Sequence, residues 1–484
     1  MTQTALPAPQ HVTARRRAFF GLFNADGWPW AIVKSLFWFV LIIMLLGYIP
    51  DRAYYFTVQK TVDVGLLAWS PVNFCPPENE TLPCPVPAGA TLPWHPSPAE
   101  INLPAARTDG VAGVIGQTYL YAGGSNGSAA SADVYVSHAV GSGNLDAWSA
   151  GPALPEARAD AASVVVGNTL YVIGGNGPDG KPTTTTFSLT VANDGSLGAW
   201  VTEAKLALPE ARAGSSAVAV SDGLVVLGGT DGTAATRSVW KSQNDKSGKP
   251  GAWVPQVGVL AEANVDGLAV HVGDIIFVVG GRNETGAVVA TVQQGLVGGD
   301  KDHPVPVTDP NQIIAAWRMS AETNLPGPRT NMAGFTANGA IYVQGGSDGV
   351  GPRTETLWAT PDAEGVIPAW THLAQTDLGT GIAGSSAMVA GSHAFIVAGT
   401  TAAGPTAGLA RTNLAPQEPF FQLGILGATI PALKLDGEIG QQIGYLNAAT
   451  VGAVNFILLI GVGWAFNNKE RVRALVESRR RRKG

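Results

Sequence analysis

LPEARADAASVVVGNTLYVIGG, Leu154–Gly175, is followed by LPEARAGSSAVAVSDGLVVLGG, Leu208–Gly229, a second copy of the same length. Each copy has a short apolar run, a turn at Gly, Asn or Asp, and a second run that ends in a glycine pair. Alternating β-branched and aromatic residues in TLYVI and GLVVL predict strands, and the glycines mark where the chain must turn. Four further copies begin at Leu103, Leu260, Leu325 and Leu378, all 22 residues long without a gap. The starts are 51, 54, 52, 65 and 53 residues apart. A period near fifty carrying two strands and a glycine pair indicates a propeller rather than a helical solenoid.

Downstream of each glycine pair the sequence predicts a third strand (DVYVSHAV, TTFSLTV, RSVWKSQ) and a fourth segment that closes on tryptophan. NLDAW, SLGAW, KPGAW, IIAAW and VIPAW place Trp148, Trp200, Trp253, Trp317 and Trp370. Four strands make one blade, and a large ring at a fixed place in each is expected to pack between neighbouring sheets. Trp94 precedes the first copy, and the sixth copy lacks a fourth segment. The strand Ala90–Trp94 is therefore expected to complete blade six, closing the ring and removing its open edges. The expected fold is all-β: a six-bladed propeller closed by an N-terminal strand and flanked by two transmembrane helices.

The LPEAR-like start, the paired apolar strands, the YVIGG doublet and the later tryptophan resemble the kelch repeat family over about Ala90–Ala415. The resemblance implies the propeller and does not fix an activity. Some kelch-type propellers are enzymes, copper-radical oxidases and sialic-acid mutarotases among them. The oxidase type needs a cysteine linked to a tyrosine beside its metal, and both cysteines here precede the ring. Copies four and six depart from the pattern, with Asn264 and Ile382 in place of arginine and Ala398-Gly399 in place of the glycine pair.

The composition suits this reading. The 61 glycines and 14% charged residues suit many short strands joined by turns, and a hydrophobic fraction of 45% is foreign to disorder. Between Pro85 and Ala415 there are 26 acidic and 15 basic residues, a balance that argues against a nucleic-acid partner. After Phe466 there are eight basic and two acidic residues. The apolar stretches ending in SLFWFVLIIMLLGYI (Ser35–Ile49) and covering Tyr445–Phe466 are long enough to span a bilayer. Arg15, Arg16 and Arg17 before the first and the basic tail after the second predict cytoplasmic termini. The expected order is a cytoplasmic tail (1–30), a first transmembrane helix (31–49), an extracytoplasmic stalk (50–89), the propeller (90–415), a membrane-proximal segment (416–444), a second transmembrane helix (445–466) and a cytoplasmic tail (467–484). In the stalk, Cys75 and Cys84 are expected to form a disulfide, the usual state of two cysteines in an exported loop. The apolar flanks Tyr54–Phe74 and Phe420–Pro431 are expected to lie along the membrane surface. Glycines and asparagines in the second span favour close helix contact, with the first span or with a larger complex.

Function is then left to loops and channel mouth. Arg107, Arg158, Arg212 and Arg329 recur at the start of the innermost strand in four blades. They could form a cationic collar for a carboxylate, or tie each blade to its neighbour through carbonyls and nearby acids. Structural ties are the favoured reading. The Asp/Asn loops after the glycine pairs, such as GGSNGSAAS and GGRNETGA, lack an EF-hand spacing and read as turns. In blade four the tryptophan follows the glycine pair by 36 positions, against 24 or 25 in the other complete blades. The excess, Gln293–Gln312, breaks the symmetry and is a partner-contact candidate. No catalytic constellation, metal spacing or cofactor motif emerges. The expected function is a membrane-anchored scaffold that binds a protein or glycan, or serves as an accessory subunit; the alternative is a sugar-binding receptor or mutarotase-like enzyme using the arginine-lined mouth.

Overall fold

The computed structural model describes residues 90–414, apart from 92, 141–143, 247, 300–304, 306–308, 310 and 392, together with a hairpin at 420–423 and 428–431. Both predicted spans and the pair Cys75 and Cys84 lie outside the described residues. Among the described residues no helix is long and apolar enough to cross a membrane. The flanking hairpin pairs Phe420–Leu423 with Ala428–Pro431 and belongs to a different compact unit from the ring.

Six antiparallel sheets stand around one axis. Their innermost strands are Val111–Ile115, Ala162–Val166, Ala213–Val220, Leu268–Val272, Ala333–Ala337 and Ser386–Ala390, and each neighbours the next in a closed circle. The second strands, such as Thr118–Ala122 and Ile275–Val279, are buried along their whole length between adjacent blades. Apolar clusters fill the wedges between sheets: Leu120 with Leu170 and Leu189, Phe277 with Ile341 and Leu357.

Closure occurs in blade six, whose outermost strand is His95–Pro96 paired to Leu409–Asn413. An isolated bridge joins Thr91 to Leu414. The closing strand thus begins just past Trp94 instead of ending on it. The same offset holds in blades one, two and five, where the outer strands Ser149–Ala150, Val201–Thr202 and Thr371–His372 each follow their tryptophan. Pro96, which lacks an N–H, is tolerated because it lies on the outer edge.

The tryptophans fasten each blade to the connection before it. Trp148 Nε1 donates to the Ile101 carbonyl at 3.0 Å, Trp200 to Pro152 at 2.8 Å, and Trp253 to Leu206 at 2.9 Å. Trp317 donates to Gly258 at 3.1 Å and Trp370 to Thr323 at 2.9 Å. Trp94 instead donates to Thr356 Oγ1, a side chain of blade five.

The glycine pairs do a second job. The first glycine of each pair takes a positive φ, and a Cβ there would collide with a backbone carbonyl of the next blade: Gly123 with Arg158, Gly174 with Arg212, Gly280 with Arg329. The second glycine donates its N–H to that same carbonyl, as from Gly124 to Arg158 (2.8 Å) and Gly281 to Arg329 (2.7 Å). Gly399 closes the circle onto Arg107 at 2.7 Å. These are backbone ties, so the residue type at the arginine position can drift: Asn264 and Ile382 accept through their carbonyls from Gly229 and Gly346, both at 2.7 Å. Ala398, standing for the first glycine in blade six, keeps φ at 58°, which costs an L-residue about 1–2 kcal/mol.

Candidate functional site at the channel axis

The four predicted arginines are buried, and their hydrogen bonds and ion pairs lie inside their own blades. Arg107 donates from Nη1 to the Ala106 carbonyl and pairs through Nη2 with Asp133. Arg158, with its side chain 1% exposed, bonds Ala157 O, Glu156 and Thr185, and its guanidinium lies 4.8 Å from the Phe187 ring centroid. Arg212 repeats this with Ala211 O, Glu210 and Ser238 against the Trp240 ring. Arg329 donates to the Gly345 carbonyl and faces Glu355 at 3.6 Å. Only their Nε–H groups are buried without a protein acceptor. The side chains therefore fasten each blade to itself and not to its neighbour; the bonds between neighbouring blades at these positions go to the backbone carbonyls.

Two residues beyond each of these positions the chain turns left-handed at the axis. Asp109, Asp160, Gly214, Asp266, Asn331 and Gly384 all have φ between 50° and 62°. Asp, Asn and Gly are the residues that tolerate this region. Each donates its backbone N–H to the carbonyl of its counterpart in the preceding blade: Asp160 to Asp109 (2.7 Å), Gly214 to Asp160 (3.0 Å), Asp266 to Gly214 (2.8 Å), Asn331 to Asp266 (2.9 Å), Gly384 to Asn331 (2.8 Å) and Asp109 to Gly384 (2.8 Å). Six hydrogen bonds form a closed inner ring. The two glycines make room: a Cβ on Gly214 would meet Asp266 Oδ1, and one on Gly384 would meet Asp109 Oδ1.

The side chains on this ring form one network. Arg282, which follows the glycine pair of blade four and is 42% exposed, donates from Nη1 to Asp266 Oδ2 at 2.5 Å and from Nη2 to Asn331 Oδ1 at 3.0 Å. Asn331 also accepts from Thr330 Oγ1 at 3.2 Å. Burial, followed by the nearby Asp266 charge, pushes Asp109 up to about 6. Burial and the charges of Asp266 and Asp109 raise Asp160 well above the ordinary carboxylate range. Burial raises Asp266 too, opposed by Arg282.

Sequence reasoning missed this axial set. The signal was available: the second residue after each arginine position reads Asp, Asp, Gly, Asp, Asn and Gly, a sequence of left-handed formers. Arg282 stood in GGRNETGA, which reads as a turn, and the lone arginine there coincides with the loss of arginine at Asn264. Asn264 donates from Nδ2 to the Gly280 carbonyl, as Arg329 does to Gly345 in the next blade.

Of the blade-four excess, Gln293–Val297 belong to the strand Val292–Val297, and the remainder stands before the strand Ile314–Met319. Its C-terminal end is clamped by two glutamines. Gln256 Nε2 donates to the Asn311 carbonyl and its Oε1 accepts from Ile313 N, both at 2.8 Å. Gln312 mirrors this on the preceding connection, accepting from Val257 N at 2.8 Å and donating to Pro255 O at 2.9 Å.

No protein-family profile matches the chain, and no curated protein matches it. Among solved structures, one titled "Structure of YjhT" is similar at 17% identity and a TM-score of 0.48, over 65% of this chain and 95% of that one. Among the described residues no group of three or more His, Cys, Asp or Glu is placed to hold a metal ion.

Proposed function

We propose that the chain is a membrane-tethered binding propeller, an accessory subunit that meets a membrane partner through the face from which its two ends leave. The observation that carries this is the pairing of Thr91 with Leu414. It brings the two described ends of the ring, beyond each of which the sequence holds an apolar stretch of spanning length, to one spot at the edge of blade six. His393 pairs with Asn413, so that spot lies at the end of the blade that carries the first turn, opposite the axial ring. The part of the blade-four excess outside the strand follows Val297, whose strand-mate Leu296 pairs with Ile275 beside the corresponding turn. Tether points and asymmetric loop therefore share one face. Placement of the ring on the outer side of the membrane rests on the basic residues of the termini.

The test is purification of the full chain in mild detergent, with and without the excess between Gly299 and Asp309. The expected result is a stoichiometric membrane partner that is lost on shortening, with the melting temperature unchanged. A wild-type chain that purifies without a stoichiometric partner contradicts the reading, as does a partner retained after shortening.

A further inference from the structure

Three Asn-x-Ser/Thr triplets stand in the chain: Asn79-Glu80-Thr81, outside the described residues, Asn126-Gly127-Ser128 and Asn283-Glu284-Thr285. In exported chains this triplet accepts N-linked glycans at surface loops. The last two occupy the loops after the glycine pairs of blades one and four, and each asparagine closes a turn on its own triplet. Asn126 Oδ1 accepts from Ser128 N, Ser128 Oγ and Ala129 N, all at 3.0 Å. Asn283 Oδ1 accepts from Thr285 N at 3.1 Å, Thr285 Oγ1 at 2.7 Å and Ala287 N at 3.1 Å. The amide nitrogens differ. Asn283 is half-buried, and its Nδ2 donates to Glu262 Oε1 at 2.9 Å. Asn126 is exposed, and its Nδ2 has no protein acceptor among the described residues. We propose that Asn126 is the N-glycan acceptor of the folded chain and that Glu262 masks Asn283.

The blade-one loop is held in place on both sides of the triplet. Ser125 and Thr108 exchange backbone hydrogen bonds at 2.7 and 2.8 Å, and Ser131 N donates to the Gly124 carbonyl at 2.8 Å. Gly127 has φ at 95°, and a Cβ there would stand 3.1 Å from Pro405 Cγ of blade six. Thr108 leads into Asp109 of the axial ring, so the acceptor stands on the mouth face, away from the chain ends. Transfer takes a lipid-diphosphate-linked oligosaccharide as co-substrate. A bond forms from Asn126 Nδ2 to the sugar C1 and the C1–O bond to the diphosphate breaks. The lipid diphosphate leaves with that electron pair, and the amide proton passes to a base of the transferase. No protein bond of Asn126 Nδ2 has to break first. Asn283 must give up Glu262, whose Oε2 is held by Thr291 Oγ1 at 3.0 Å. In the cell the modification rests on the outer placement of the ring proposed above, and it leaves the chain-end face clear for a membrane partner.

Two experiments separate the geometry from the placement. The full chain carrying Asn79→Gln, purified in detergent, is given an oligosaccharyltransferase and a lipid-diphosphate-linked oligosaccharide. Mass spectrometry is expected to find the glycan at Asn126, lost in Asn126→Gln and in Ser128→Ala, with Asn283 bare until Glu262→Ala frees it. An unmodified Asn126, or equal occupancy of Asn283 with Glu262 intact, overturns the proposal. The same chain is then expressed in cells that glycosylate their exported proteins, beside an Asp231→Asn variant. Asp231 holds the matching exposed turn in blade three, accepting from Thr233 N, Thr233 Oγ1 and Ala234 N at 2.8, 2.6 and 2.9 Å. The substitution therefore completes a control triplet with Thr233. A glycosidase-sensitive mobility shift is expected from both positions. A shift from the control triplet alone overturns the acceptor and leaves the placement standing; no shift from either overturns both.

Discussion

The N–H of Asp266 donates to the Gly214 carbonyl at 2.8 Å, and the Asp266 carboxylate fills the space that a Cβ on Gly214 would need. One residue pair thus links the inner ring's backbone to its side-chain network. Gly214→Ala is expected to destabilise the propeller through both collision and a left-handed φ. Gly167→Ala is the matched comparison, with the same φ of 60° but open space around it. The strain alone costs about 1–2 kcal/mol. Chemical denaturation should show Gly214→Ala costing clearly more than Gly167→Ala, with Asp266→Ala recovering part of the difference; equal costs would mean that the collision is relieved freely.

Arg158 separates a structural tie from a ligand-binding collar. Removing a fully buried side chain with several hydrogen bonds and a ring contact is expected to cost about 2–4 kcal/mol in Arg158→Ala. A collar residue would leave the denaturation midpoint near wild type. The same substitution at Arg237, which is half exposed and paired with Glu284, should cost under about 1 kcal/mol.

Trp148→Phe keeps most of the buried ring and removes one donor, stranding the Ile101 carbonyl. The expected loss is about 1–3 kcal/mol. Hydrogen exchange should place the effect at the connection 99–103, with the inner strands still protected.

Gln256 and Gln312 each hold the other's backbone, so their deletions should not add. A double-mutant cycle with alanine at both positions is expected to give a coupling of about 0.5–3 kcal/mol. Exchange should rise at 309–313 without a matching change in blade one. An additive cycle would show two independent contacts.

Much of this architecture was legible because repetition amplifies weak signals. The glycine pairs, the tryptophans and the missing outer strand of blade six can be read from the six copies alone. The roles of the arginines were less legible, since their partners Asp133, Thr185, Ser238 and Glu355 stand nine or ten residues past the glycine pairs, beyond the 22-residue copies, and differ in residue type. The axial set was hidden differently. Asp109, Asp160 and Asp266 look like ordinary turn formers along the chain, and only closure of the circle brings them to one axis with Arg282. The excess in blade four was plain as a length; the glutamine clamp that fastens it was not, because Gln256 and Gln312 lie in different repeats.

The tether is tested most directly by placing a reporter on the face opposite the chain ends. Val350, 96% exposed in the loop after Gly345-Gly346 of blade five, can be changed to cysteine in a Cys75→Ser, Cys84→Ser background. A thiol reagent that cannot cross membranes is then applied to intact cells. Labelling without lysis is the predicted result, and labelling only after lysis would contradict a propeller held outside the membrane.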